Sequence, residues 1–295
     1  IHKVDSADYN FSFLTKQFMS DDAPKDSAGW KIFPSSIVFV RGKGNVGLQT
    51  AHQIDYHVQE FNLALKDMRY FPDSLAFEMS QFSFEETSGM MVRETHAKVG
   101  ISSRGVMMND FSMEGKHSGF LIDSLMVHFK NPNDSLADIK PTDFYADVTL
   151  LKLASQDIRL MSNNRWNLSQ DFTFSGILRG SPDNIKGREI LLGFGDNSSL
   201  LASFDLKGLP DLKNSFLFFD IKSLSTNAPD IAMLVSAGLA KPVDIPQVID
   251  EMGEITYTGN ITGFLNDLVA YGRLSSNFGS VSTDLGIKLK EDDKF

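Results

Sequence analysis

The stretch Leu75-Ala-Phe-Glu-Met-Ser-Gln-Phe-Ser-Phe84 decides the fold class. Leu75, Phe77 and Met79 alternate with Ala76, Glu78 and Ser80. A period of two is the signature of an extended strand, whose side chains point to opposite faces in turn. Phe82 and Phe84 continue the apolar series in the other phase. That shift predicts a bulge near Ser80–Gln81, or a break in the strand. One strand earlier the alternation recurs, with Phe61, Leu63 and Leu65 set against Asn62, Ala64 and Lys66.

Outward from these two, similar stretches fall at 37–40, 94–102, 106–113, 120–129 and 144–153, divided by Gly, Asn, Asp and Pro. They recur at spacings of roughly 10–15 residues with no amphipathic helix between them, so parallel βαβ winding does not fit. Neighbouring strands should pair antiparallel as a meander. Three segments read as helical: 155–161, 230–237 and 245–251, the last with Pro246 near its start, where proline is tolerated. There is also an internal echo. Phe174-Ser-Gly176-Ile-Leu-Arg-Gly180 returns as Tyr257-Thr-Gly259-Asn-Ile-Thr-Gly263, both glycines displaced by 83 residues. Each copy follows a short helical piece and runs into further strands, at 189–195 and 268–274. A repeated strand–Gly–strand unit suits a structure that grows by stacking similar rungs.

At 295 residues the chain can bury a substantial core. Its 24 Phe against 6 Tyr and 2 Trp demand apolar surroundings, in a core or on a greasy surface. A net charge of −10 argues against nucleic acid and against broad adhesion to anionic headgroups. With no cysteine there are no disulfides, thiolate metal sites or cysteine nucleophiles. No apolar run approaches the roughly 20 residues of a membrane-spanning helix. The start at Ile1, without a signal sequence, reads as an excised segment.

Motifs that suggest chemistry weaken in context. Gly42-Lys-Gly44-Asn-Val-Gly47 has the glycine spacing of a dinucleotide loop, but period-two alternation follows at Ile54, Tyr56 and Val58, so a turn is expected. His52 and His57 are five apart, which suits neither a helical pair nor zinc spacing. Asp21, Asp22 and Asp26 lack the glycine and terminal Glu of a calcium loop. There is no G-x-S-x-G elbow, and the adjacent pairs Glu85–Glu86 and Asp292–Asp293 should point to opposite faces of a strand. No catalytic residue, cofactor or metal ligand is therefore assigned. A hydrolase would require convergent carboxylates from distant segments in a polar cleft. On pattern alone, the simpler account of the apolar strand faces is an ordinary β-sandwich core, as in a glycan-binding or adhesin-like module of the cell envelope.

Four stretches taken in order resemble the TamB family as it occurs in Bacteroidetes-type bacteria. They are Trp30-Lys-Ile-Phe-Pro-Ser-Ser-Ile-Val-Phe-Val-Arg41; Leu75 to Gly89, where an apolar strand runs into F-x-E-x-S-G; and Val99-Gly-Ile-Ser-Ser-Arg-Gly105 with the strand after it. The fourth comprises Ser155-Gln-Asp-Ile, the two glycine units and Phe278-Gly279-Ser-Val. The first 28 residues contribute nothing, and Gly42–Gly47 departs from the family pattern. The resemblance implies a mainly β fold: an elongated antiparallel sheet curled into an open trough (a β-taco) with a few short helices, related to AsmA-like and bridge-like lipid-transfer proteins. It further implies a periplasmic segment of a protein anchored in the inner membrane, with phospholipid acyl chains and an outer-membrane barrel of the TamA/BamA kind as partners. The expected division is a polar segment at 1–29, a first trough segment at 30–141 and a second at 142–295. The candidate groove lining is Phe61, Leu63, Leu65, Leu75, Phe77, Met79, Ile101, Met108, Leu125 and Val127.

Overall fold

The computed structural model describes residues 33–48, 54–87, 89–130, 141–161, 170–211, 214–239, 246–264 and 267–288. Residues 1–29, His52 and Asp292–Asp293 lie outside them. The first half of the described chain forms β1 (Ile37–Leu48), β2 (Ile54–Phe71), β3 (Ser74–Glu86), β4 (Met91–Ser102), β5 (Gly105–Gly115), β6 (Gly119–Phe129) and β7 (Pro141–Leu153). After α1 (Ser155–Met161) come β8 (Phe172–Ser181), β9 (Asn184–Phe194), β10 (Ser198–Lys207) and β11 (Phe216–Thr226). Then α2 (Ala228–Leu239) and α3 (Gln247–Asp250) precede β12 (Ile255–Phe264), β13 (Asp267–Ser276) and β14 (Gly279–Lys288).

These fourteen strands make one sheet in strict sequence order, every neighbour antiparallel. Among the described residues β1 and β14 are free edges, and all fourteen strands belong to this one sheet, with no second sheet. The architecture is an open trough and not a sandwich. The ladder runs unbroken through residue 141, the first of β7.

Directly opposed residues of antiparallel strands share a face, so the register sorts the side chains. The sheet curls because its strands carry bulges, which add a residue, bend the strand and raise its twist. Opposite the consecutive residues Ala64 and Leu65 stand Gln81 and Met79, so Ser80 is the extra residue. The bulge keeps Met79 and Phe82 on one face although they are three apart. The same three-residue step recurs at Met108/Phe111, Ile122/Leu125, Val148/Leu151 and Ile221/Leu224. Asp67, Asp110 and Glu189 take positive φ near 53°, 52° and 53° at such irregularities.

Burial follows the curl. Buried apolar side chains of the strands, such as Ala97, Val148, Ile190, Ala202, Ile221 and Tyr257, lie on one face. The large apolar side chains Met107, Leu121, Leu191 and Leu201 on the other face stay 45%, 44%, 50% and 37% exposed. The first face is concave.

The internal echo has a backbone counterpart. Gly176 and Gly180 in β8 have φ of 131° and 140°; Gly259 and Gly263 in β12 have 146° and 132°. A Cβ on Gly180 would stand 1.9 Å from the Asn184 carbonyl oxygen, and one on Gly263 would stand 2.2 Å from that of Asp267. Both strands therefore need glycine there for the same two reasons, left-handed backbone and close cross-strand approach. Helices precede both, and because consecutive antiparallel strands turn alternately at the two rims, α1, α2 and α3 all stand on one rim. Short turns at 72–73, 103–104 and 182–183 form the other rim.

The expected turn at Gly42–Gly47 is corrected: this stretch is strand, paired to β2 from Gly42↔Phe61 to Gly47↔Asp55. Gly42 serves packing, since a Cβ there would meet the Phe61 ring at 2.2 Å. The three helical segments are present as expected, with the last shortened to Gln247–Asp250.

Candidate functional site

All ten sequence-derived lining candidates share the concave face. Phe61 stands opposite Phe84, Leu63 opposite Phe82 and Phe39, and Leu65 opposite Met79 and Ile37. Leu75 pairs with Ile101 and Phe77 with Val99. Ile101 in turn faces Val106, Met108 faces Val99 and Leu125, and Val127 faces Val106 and Phe144. Nine are half-buried, in one sheet with no second sheet among the described residues; Ile101 is 41% exposed.

The face continues beyond the residues expected. Val148, Leu151, Phe174, Leu192, Leu200 and Phe204 carry it through β7 to β10. Phe219, Leu224, Ile261 and Leu274 extend it to β13, packed around the buried Ala202, Ile221 and Tyr257. The alternation Leu200, Ala202, Phe204, Leu206 was the signal for β10. In β11 the matching run Leu217, Phe219, Ile221 is masked by Phe216 and Phe218, which fill the other phase. Two aromatic side chains lie over cross-strand glycines: Phe61 over Gly42 and Phe204 over Gly187. Phe204 and Phe219 pack with ring centroids 5.7 Å apart.

The convex face is polar and laced with ion pairs. Lys66 Nζ lies 2.9 Å from Glu78 Oε1, and His96 Nε2 lies 3.0 Å from the same oxygen. Hydrogen bonds from Lys66 and then His96 hold the Glu78 carboxyl below the usual carboxylate range. Lys98 Nζ donates to Asp110 Oδ2 at 2.6 Å, which lowers the Asp110 carboxyl and raises the ammonium. His128 Nδ1 and Asp143 Oδ1 are 2.6 Å apart, and this contact depresses Asp143. Arg188 Nη1 sits 2.6 Å from Asp205 Oδ1 as a charge pair, its hydrogens directed instead at the Gly187 and Phe204 carbonyls. The convex face thus carries ion pairs beside exposed apolar side chains such as Met107, Leu121, Leu191 and Phe218, while the concave face is apolar along its length.

The helical rim is fixed by buried polar contacts. Asp230, 2% exposed, accepts hydrogen bonds from Ser198 Oγ at 2.6 Å and Asn227 Nδ2 at 3.1 Å. The Asn227 side-chain carbonyl accepts the Asp230 N–H at 2.9 Å, capping α2. Gly195 makes room, because a Cβ there would stand 2.1 Å from the Asp230 carboxylate. At α1, Ser118 Oγ accepts the Ala154 N–H at 3.0 Å and Asp171 accepts that of Ser155 at 2.9 Å.

Glu85 is exposed and Glu86 buried, as adjacent strand positions require. Among the described residues no three His, Asp or Glu side chains gather within reach of a metal ion, and no helix is long and apolar enough to cross a membrane. No family model, curated protein or solved structure matches this chain.

Proposed function

We propose that this chain is a non-catalytic trough segment that shelters phospholipid acyl chains. In this reading it belongs to a periplasmic protein of the TamB/AsmA-like type, anchored in the inner membrane. The full-length protein works with an outer-membrane barrel of the TamA/BamA kind in envelope assembly. The observation that supports this reading is a continuous concave face of Phe, Leu, Met, Ile and Val across the sheet, half-buried and without a covering layer.

The physical case rests on hydrocarbon transfer. Each methylene moved out of water gains about 0.8 kcal/mol, so a whole acyl chain in the aqueous gap costs on the order of 10 kcal/mol. A one-sided apolar sheet removes most of that cost without chemistry, while the open side leaves the headgroup in water. Methionines such as Met79, Met108 and Met113 adapt to chains of different shape. The competing sandwich or adhesin-like module needs a second sheet on this face, and none covers it among the described residues.

Native mass spectrometry of the chain isolated from envelopes without detergent tests the proposal. Phospholipid-mass adducts are expected. A homogeneous ligand-free protein would count against a lipid role.

A further inference from the structure

On the convex face, beside the rim of short turns, a pocket of about 380 Å³ opens between β3 and β6. Its floor is made by two residues without bulk, Ala76 and Gly100, directly opposite one another. Met107 faces Gly100, and Met126 faces Met107, so two thioether side chains wall the hollow along the same row. Met107 is 45% exposed, and its Cε lies 3.8 Å from where a Cβ on Gly100 would stand. Ser102, Arg104 and His128 close the side toward the rim.

The charges around it are uneven. His128 is engaged by Asp143. Arg104 has no ion-pair partner among the described residues, and neither has Arg69, which stands opposite Ala76 on β2. In a chain of net charge −10, Arg104 thus lines the hollow and Arg69 stands in register beside its floor, neither paired to a carboxylate among the described residues. Methionine walls accept side chains of varied shape, and guanidinium favours carboxylate through paired N–H donors.

We infer that this hollow is a docking site for a protein partner, which inserts one large apolar side chain flanked by carboxylates. An acyl chain is the poorer occupant. On the convex face most of its methylenes would stay in water at about 0.8 kcal/mol each. The inference does not depend on the lipid reading.

Methionine-methyl NMR of the full chain, titrated with acetyl-Glu-Phe-Glu-amide and acetyl-Gln-Phe-Gln-amide, tests it. Saturable shifts are expected at Met107 and Met126, with Met108 and Met113 on the concave face unmoved. At low salt the acidic peptide should bind about fivefold more tightly than the neutral one. Replacing both Arg69 and Arg104 with Gln should bring the two peptides within about twofold of each other. Gly100→Val, at a position of ordinary φ with only Met107 Cε within 4 Å, should fill the hollow and remove the shifts with either peptide. Ala76→Leu should do the same from the neighbouring strand. The inference is overturned by an absence of saturable shifts at Met107 and Met126, or by a charge preference that survives the double Arg variant. Decanoate binding there more tightly than the acidic peptide would overturn it equally.

Discussion

Phe77→Asp places a carboxylate in the middle of the concave face, between Leu75 and Met79 along the strand and opposite Val99 on the next. Phe77 is half-buried, so the folded sheet itself can tolerate the change by turning the new group to solvent. A bound hydrocarbon cannot. It would lose contact with about four methylenes at about 0.8 kcal/mol each, on the order of 3 kcal/mol, or about 100-fold in occupancy. Lipid phosphorus per mole of purified protein measures the effect, with circular dichroism confirming retained strand content. Met107→Asp is the matched control, since Met107 is exposed on the opposite face. If Phe77→Asp leaves the lipid content of a folded protein unchanged, Phe77 does not line an acyl site and the occupancy reasoning is wrong.

Three further outcomes are expected. Gly180→Val and Gly263→Val each force a Cβ to about 2 Å from a carbonyl oxygen at φ near 140° and 132°, and thermal melts should show a loss of about 2–4 kcal/mol for either. Equal stability would refute the shared structural role of the two glycine units. Asp230→Ala strips a buried acceptor from Ser198 and Asn227 and should cost about 2–3 kcal/mol, with faster amide exchange confined to α2 and the turn at Gly195; uniform protection would contradict the role of Asp230 in fixing the helical rim. The depressed carboxyls of Glu78, Asp110 and Asp143 stabilise the fold fully above the unfolded carboxylate range of about 4, and this contribution disappears as pH falls through their lower folded values. Asp143→Asn should therefore lower the melting temperature slightly at pH 7 and not at pH 2, the difference shrinking in high salt.

How much of this was legible from sequence depended on the bulges. Phe61, Leu63 and Leu65 sit in one uninterrupted run, so their common face could be read directly. In β3 the phase change between Met79 and Phe82 was visible because aromatic residues stand on both sides of it. At Ile122/Leu125 and Val148/Leu151 apolar residues fill both phases beside the step, as at Leu121–Ile122, Leu125–Met126 and Leu150–Leu151, so periodicity gives no phase. Strand β11 was obscured in the same way by Phe216 and Phe218 on the convex face. At Gly42–Gly47 local turn chemistry pointed the wrong way, because the stretch pairs along β2 without reversing the chain and Gly42 makes room for the Phe61 ring. Nor could the hollow at Ala76 and Gly100 be read, since it arises only when small residues of separate strands align in register.

The absence of cysteine allows single-cysteine scanning of β3 with an environment-sensitive fluorophore, quenched by phospholipids brominated on the acyl chain. An open apolar face carrying lipid predicts strong quenching at 75, 77 and 79, weak quenching at 76 and 78, and then a switch of phase across Ser80 to strong quenching at 82 and 84. Quenching equal at both parities, or absent throughout in the presence of bound lipid, would contradict it.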